Sequence, residues 1–101
     1  MNIFVDPVSN VWFEPEMGFF PGKPVTCKAN GFPRPSFQWI RTSDNVTVVE
    51  GPKLVVESTN NSYVCIATNV VSGRTYNTMS TEVKFHADAG ISLQTALCNE
   101  F

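Results

Sequence analysis

The sequence predicts an all-β domain, and three observations carry that prediction. Short runs rich in β-branched and aromatic residues recur at about the 8–12-residue spacing of an all-β fold, Pro, Gly, Asn and Ser separate them, and no stretch has capped helical periodicity. Segments 3–8 and 11–13 open the pattern. Pro21-Gly22 turns the chain into 25–29, where Val25, Cys27 and Ala29 alternate onto one face. Gly31-Phe32-Pro33-Arg34-Pro35 is a loop restricted by its prolines, and 36–41 follows, with Phe37 and Trp39 on one face. Ser43-Asp44-Asn45 is a turn into 46–50, and Gly51-Pro52 breaks that run from 53–56. Asn60-Asn61 precedes 63–68, whose Tyr63, Cys65 and Ala67 share a face. Ser72-Gly73 then leads to a last strand at 76–85. Beyond Phe85 the alternation lapses, so 1–85 reads as one domain and 86–101 as a linker or tail in which Ile91, Leu93 and Leu97 suit a short amphipathic turn.

Composition agrees with a folded module. With 43% hydrophobic and 16% charged residues, the 101-residue chain holds enough apolar material for one core and too little charge for disorder. Its net charge is −2 and its seven Lys and Arg are scattered, which leaves no basic stripe for nucleic acid. No apolar run reaches the roughly eighteen residues of a membrane span, and no basic n-region with an apolar core follows Met1. The chain reads as a soluble protein or, on the favoured reading, as one module of a longer one.

Reactive groups do not converge. His86 is the only histidine and stands apart from Cys27, Cys65 and Cys98, so neither a zinc site nor a Cys-His nucleophile has the needed spacing. No serine sits in a nucleophile elbow, no Gly-rich loop follows a strand, and the dispersed carboxylates do not form a calcium loop. The expectation is a non-catalytic protein without cofactor or metal. Two N-glycosylation sequons, Asn45-Val46-Thr47 and Asn60-Asn61-Ser62, point with the cysteines to an oxidising compartment. The alternative is a cytosolic domain whose cysteines are buried free thiols.

The alternating faces carry a combination found in one family. Cys27, Trp39 twelve positions later, and Tyr63-Val64-Cys65 resemble the Cys, Trp and Tyr-x-Cys pattern of the immunoglobulin superfamily. Cys27-Lys28-Ala29-Asn30-Gly31-Phe32-Pro33-Arg34-Pro35 is similar to the Cys-x-Ala-x-Gly-x-Pro-x-Pro run of intermediate-set domains, and Cys65-Ile66-Ala67-Thr68-Asn69 with Gly73 is similar to their Cys-x-Ala-x-Asn-x-x-Gly hairpin. The resemblance spans about residues 3–85. It implies an immunoglobulin-like Greek-key β-sandwich of two antiparallel sheets, A-B-E and G-F-C-C′. It also implies a Cys27–Cys65 disulfide packed against Trp39 and a Tyr63 whose hydroxyl bonds back to the preceding loop. Cys98 lies outside this pairing and reads as an unpaired tail thiol, the other readings being an interchain bridge or a bridge to another part of the parent chain.

Two features depart from the family pattern. Thr59-Asn60-Asn61-Ser62 replaces the usual Asp-x-Gly ahead of Tyr63, which removes an ion pair and leaves Asn61 as the residue best suited to a left-handed turn. The separation of 38 positions from Cys27 to Cys65 leaves room for only one β-rich segment between strands C and E, so strand D is expected to be short or absent.

The implied function is extracellular protein recognition, homophilic or heterophilic, as one domain of an adhesion molecule or cell-surface receptor. The alternatives are a passive spacer in a matrix or muscle-type filament protein and the ectodomain of a receptor kinase. With the core residues turned inward, Ile40, Val64 and Ile66 face out as a contiguous patch, with Val70, Val71 and Tyr76 expected at its loop-end margin. Glycans at Asn45 and Asn60 are expected at the end of the domain opposite the loops near 30–35 and 70–75.

Overall fold

A computed structural model describes residues 5–86. All regular structure among them is β: β1 (Asp6–Glu14), β2 (Val25–Phe32), β3 (Ser36–Arg41), β4 (Val46–Glu50), β5 (Lys53–Leu54), β6 (Ser62–Val71), β7 (Arg74–Met79) and β8 (Val83–Lys84). They form two antiparallel sheets, β1-β2-β5 and β4-β3-β6-β7, with β8 also paired to β6. The expected two-sheet division is present, and only Gly51 and Pro52 separate β4 from β5.

Alternation builds the core. Along β6 the side chains of Tyr63, Cys65, Ala67, Asn69 and Val71 are buried while those between them are not, which gives one sheet an inner face. Val25 and Cys27 supply the facing layer from β2, and Leu54 and Val83 are as deeply enclosed. Trp39 is fully buried between the layers, stacked on Phe13 with ring centroids 5.6 Å apart. Phe13 meets Phe19 edge-on, and Tyr63 meets Phe85 in the same way. Phe19 and Phe85 complete one aromatic cluster, and such contacts add to the hydrophobic gain from burial.

The Cys27–Cys65 disulfide joins β2 to β6 and therefore ties the two sheets together, with Cα atoms 6.5 Å apart. The carbonyl of Pro52 serves both layers: it accepts the Cys27 N–H at 2.7 Å and the Trp39 indole N–H at 2.9 Å. The one polar atom that Trp39 brings into the core is thereby satisfied.

Several expectations change. The two opening segments are one strand, and the register with β2 slips between Asp6 and Ser9 and again between Ser9 and Val11. Asn10, with φ 51°, accompanies the second slip as an extra residue that re-aims the edge. Segment 76–85 is two strands. Ile66 pairs with Met79 but Tyr63 with Val83, so three steps on β6 meet four on the partner. Ser80 is the cause: its Oγ accepts the Cys65 N–H at 2.8 Å while its own N–H donates to the Cys65 carbonyl. A side-chain oxygen thus replaces a ladder acceptor. Asn61 is not left-handed, and Asn10, Asn45 and Ser72 are the non-glycine residues with positive φ among those described. Ser72 and Gly73 form the two-residue hairpin turn, which lets β7 begin at Arg74. Residues 87–101, including Ile91, Leu93, Leu97 and Cys98, lie outside the described residues, as does the start of segment 3–8.

Tyr63 is buried, yet its hydroxyl makes no hydrogen bond among the described residues, which corrects the expected bond to the preceding loop. The Ser62 carbonyl beside it instead accepts from the Thr42 N–H and the Thr42 hydroxyl. Tyr63→Phe is accordingly expected to change stability by less than about 0.5 kcal/mol, because no bond is lost and the ring contact with Phe85 is kept. Urea unfolding of the two proteins checks this, and a loss above about 1 kcal/mol would show that the hydroxyl holds a partner in solution.

Candidate functional site

The outer face of the β4-β3-β6-β7 sheet is the candidate site. Ile40 and Val64 are directly opposite across β3 and β6, and Ile66 lies opposite Gln38 on one side and Met79 on the other. Since paired residues project to the same side of a sheet, Ile40, Val64, Ile66 and Met79 form one apolar group. Ile40, Val64 and Ile66 are half-buried by their neighbours, and Met79 stands out at 62% exposure.

Polar residues bound this group and bond to each other. Thr47 donates its hydroxyl to Gln38 Oε1 at 3.2 Å, and Thr68 donates to Asn77 Oδ1 at 2.7 Å. Glu50, paired with Gln38, is the carboxylate at the β4 edge. The arrangement is an apolar centre with a self-satisfied polar rim, so covering it would strand few polar atoms.

The margin differs from expectation. Val70 is 51% exposed and lies across from Thr75 on the outer face. Val71 is not on that face: as the fifth alternating inward residue of β6 it is buried, which corrects its assignment as a partner-binding residue. Tyr76 is corrected too. It pairs with Asn69, which is buried, so its ring projects toward the inner side, away from Ile66. Starting β7 at Tyr76 hid this register. Met79 is the functional candidate that sequence reasoning missed; alternation from a turn at Ser72-Gly73 places 75, 77 and 79 together and contains the signal. On β4, Val48 and Val49 pack against the core, and Val46 is exposed.

Asn45 and Asn60 are both exposed and lie at one end. Arg41 pairs with Val46 on one side and with Tyr63 on the other, which brings the β3–β4 turn beside the start of β6. The segment 33–35 and the Ser72-Gly73 turn occupy the opposite end, where Ser36 meets Thr68 and Asn69 reaches Pro33. Asn45 N–H donates to the Arg41 carbonyl at 2.9 Å and leaves the side chain outward. The expected outcome in a secreted eukaryotic product is glycan on Asn45 and Asn60, read by intact glycopeptide mass spectrometry; two bare asparagines would contradict it.

One ion pair shapes that turn. Arg41 donates from Nε and Nη2 to the two oxygens of Asp44, at 3.1 and 2.8 Å. The hydrogen bond, with the guanidinium charge beside it, holds the Asp44 carboxyl below its ordinary 3.8 and raises Arg41 further. A depressed carboxylate contributes stability above its unfolded pKa and loses it as pH falls through the folded value. The pair is solvent-exposed, so the effect on global stability is small. Carboxyl NMR titration is expected to place the Asp44 midpoint under 3.8, and Arg41→Gln is expected to raise it.

Among the described residues no group of His, Cys, Asp and Glu is arranged to hold a metal ion. Compared with known proteins, the chain matches no family model, no curated protein and no solved structure.

Proposed function

We propose that this chain is an immunoglobulin-type recognition domain of an extracellular adhesion molecule or receptor, and that it binds a protein partner, self or non-self, through the outer face of the β4-β3-β6-β7 sheet. The contiguous Ile40, Val64, Ile66 and Met79 surface with its bonded polar rim carries this reading. Support for the family comes from a disulfide between the layers, a buried tryptophan against it and the passage from β4 to β5 with no strand between them. The disulfide favours an oxidising compartment, where such bridges persist.

Replacing Ile40 and Ile66 together by lysine tests the proposal. Both are half-exposed strand residues, so the domain is expected to stay folded, with the Cys27–Cys65 bridge and Trp39 fluorescence intact. Self-association by sedimentation velocity, or binding to partner-bearing cells by titration of the purified domain, is expected to fall at least tenfold. A folded double variant that retains both would show that this face is only a packed strand surface, as in a spacer.

A further inference from the structure

A second surface lies on the other sheet, at an edge its short strand leaves open. β5 pairs only with Val25 and Thr26, while β2 continues to Phe32. Among the described residues no strand pairs with β2 on that side beyond Thr26. Main-chain groups alternate sides along a strand. Because the Cys27 N–H turns toward Pro52 on the β5 side, the N–H and C=O of Ala29 turn the same way. A groove of about 380 Å3 opens there, and Trp12, Lys28, Ala29, Arg34 and Phe37 line it.

The charge of this groove is opposite to that of the chain. The molecule carries −2 overall, yet the groove is lined by two cations and no carboxylate. Lys28 is engaged by Glu14 at 3.3 Å. Arg34 is exposed and makes no ion pair or side-chain hydrogen bond among the described residues. The neighbouring cleft on its other side, about 430 Å3, includes Glu50. An anion is therefore favoured on the Trp12 side of Arg34 and opposed on the other.

Exposed strand edges accept extended peptides through main-chain hydrogen bonds, with side-chain pockets giving selectivity. We propose that this groove takes an extended acidic segment of a protein partner, added as a short strand beside Ala29. One carboxylate meets Arg34 and an apolar neighbour lies against Trp12 and Phe37. This surface is distinct from the outer face of the β4-β3-β6-β7 sheet, so either proposal can fail alone.

The test uses eight-residue peptides alternating Val with Asp, Val with Lys, and the Val-Asp peptide N-methylated on one edge. Trp12 is the reporter, since it is 37% exposed while Trp39 is fully buried. The acidic peptide is expected to shift tryptophan emission and bind at least tenfold tighter than the basic one. Arg34→Gln and Arg34→Glu are expected to weaken it at least tenfold without changing the unfolding midpoint. N-methylation is expected to abolish binding, and the Ile40/Ile66 lysine variant to retain it. Equal binding of acidic and basic peptides would overturn the charge assignment. Binding that survives N-methylation would overturn strand addition. So would an Arg34-dependent dimer of the domain alone with no peptide binding, which would make a second copy the occupant.

Discussion

Replacing Cys27 and Cys65 together by alanine is expected to cost about 4 kcal/mol, from the entropy of closing a loop of 38 residues in the unfolded chain. That is a large fraction of the roughly 5–15 kcal/mol that holds a domain folded. The bridge sits where its loss is felt most, because it joins β2 to β6 across the layers and both cysteines are essentially without solvent exposure. Alanine also leaves sulfur-sized voids beside Trp39, which relaxes only in part. Urea unfolding is expected to show a lower midpoint with a slope little changed or slightly larger, since the unbridged chain exposes more surface when unfolded. A reduction in stability below about 1 kcal/mol would mean that the sheets are held by packing alone and that the bridge is incidental to the fold.

Cys27, Trp39 and Cys65 were legible because alternation is local. A period of two around each residue assigns its face, and the spacing of the turns assigns the strands that carry it. The same logic found Ile40, Val64 and Ile66. It failed where side chains replace main-chain partners. Nothing in the local pattern around 76–85 says that Ser80 will accept the Cys65 N–H and insert an extra residue, and the bulge at Asn10 likewise arises from pairing with β2. Register errors then propagate: one misplaced strand start put Tyr76 on the wrong side of the sheet and concealed Met79. Phe19 was missed because it lies in a Pro/Gly-flanked stretch without alternation, although it packs against Phe13 and Phe85.

The groove beside Ala29 was invisible for a different reason. Sequence indicated a strand over 53–56 and a short or absent strand D, whereas the strand observed covers only Lys53–Leu54, and the consequence depends on where the chain crosses between sheets. Pro52 marks that crossing by accepting from Cys27 and Trp39, and β5 ends two residues later. Shortness in one strand thus becomes an open edge on another.

Asn69→Ala is expected to cost about 3 kcal/mol, more than a typical surface or rim change, because one side chain satisfies three main-chain groups from two other parts of the chain. Asn69 is 4% exposed and is the buried polar residue of the described core. Its Oδ1 accepts the Val8 N–H at 3.0 Å, and its Nδ2 donates to the Asp6 carbonyl at 3.0 Å and the Pro33 carbonyl at 3.1 Å. The amide therefore ties β1 and the loop before β3 to the end of β6. It does so where the β1–β2 register is slipping and regular pairing cannot satisfy those groups. Gly31 makes the approach possible: at φ 155° a Cβ there would lie 3.1 Å from Asn69 Nδ2 and 3.1 Å from the Val8 Cα. Alanine at 69 removes all three partners, and a buried unmatched N–H or C=O costs about 1–3 kcal/mol unless water enters. The loss is expected to be local first, with the Val8 amide exchanging faster than those at the centre of β6. Asn69→Asp separates the roles, since the carboxylate keeps the acceptor for Val8 but sets a charge against two carbonyl oxygens. Its folded pKa is therefore raised, and its stability is expected to be highest below the ordinary carboxylate pKa and to fall as pH rises from that value through the raised folded one. Urea titrations of both variants across acid pH, with amide exchange at Val8, check this. A pH-independent Asp variant as stable as wild type would show that Asn69 is not the clasp.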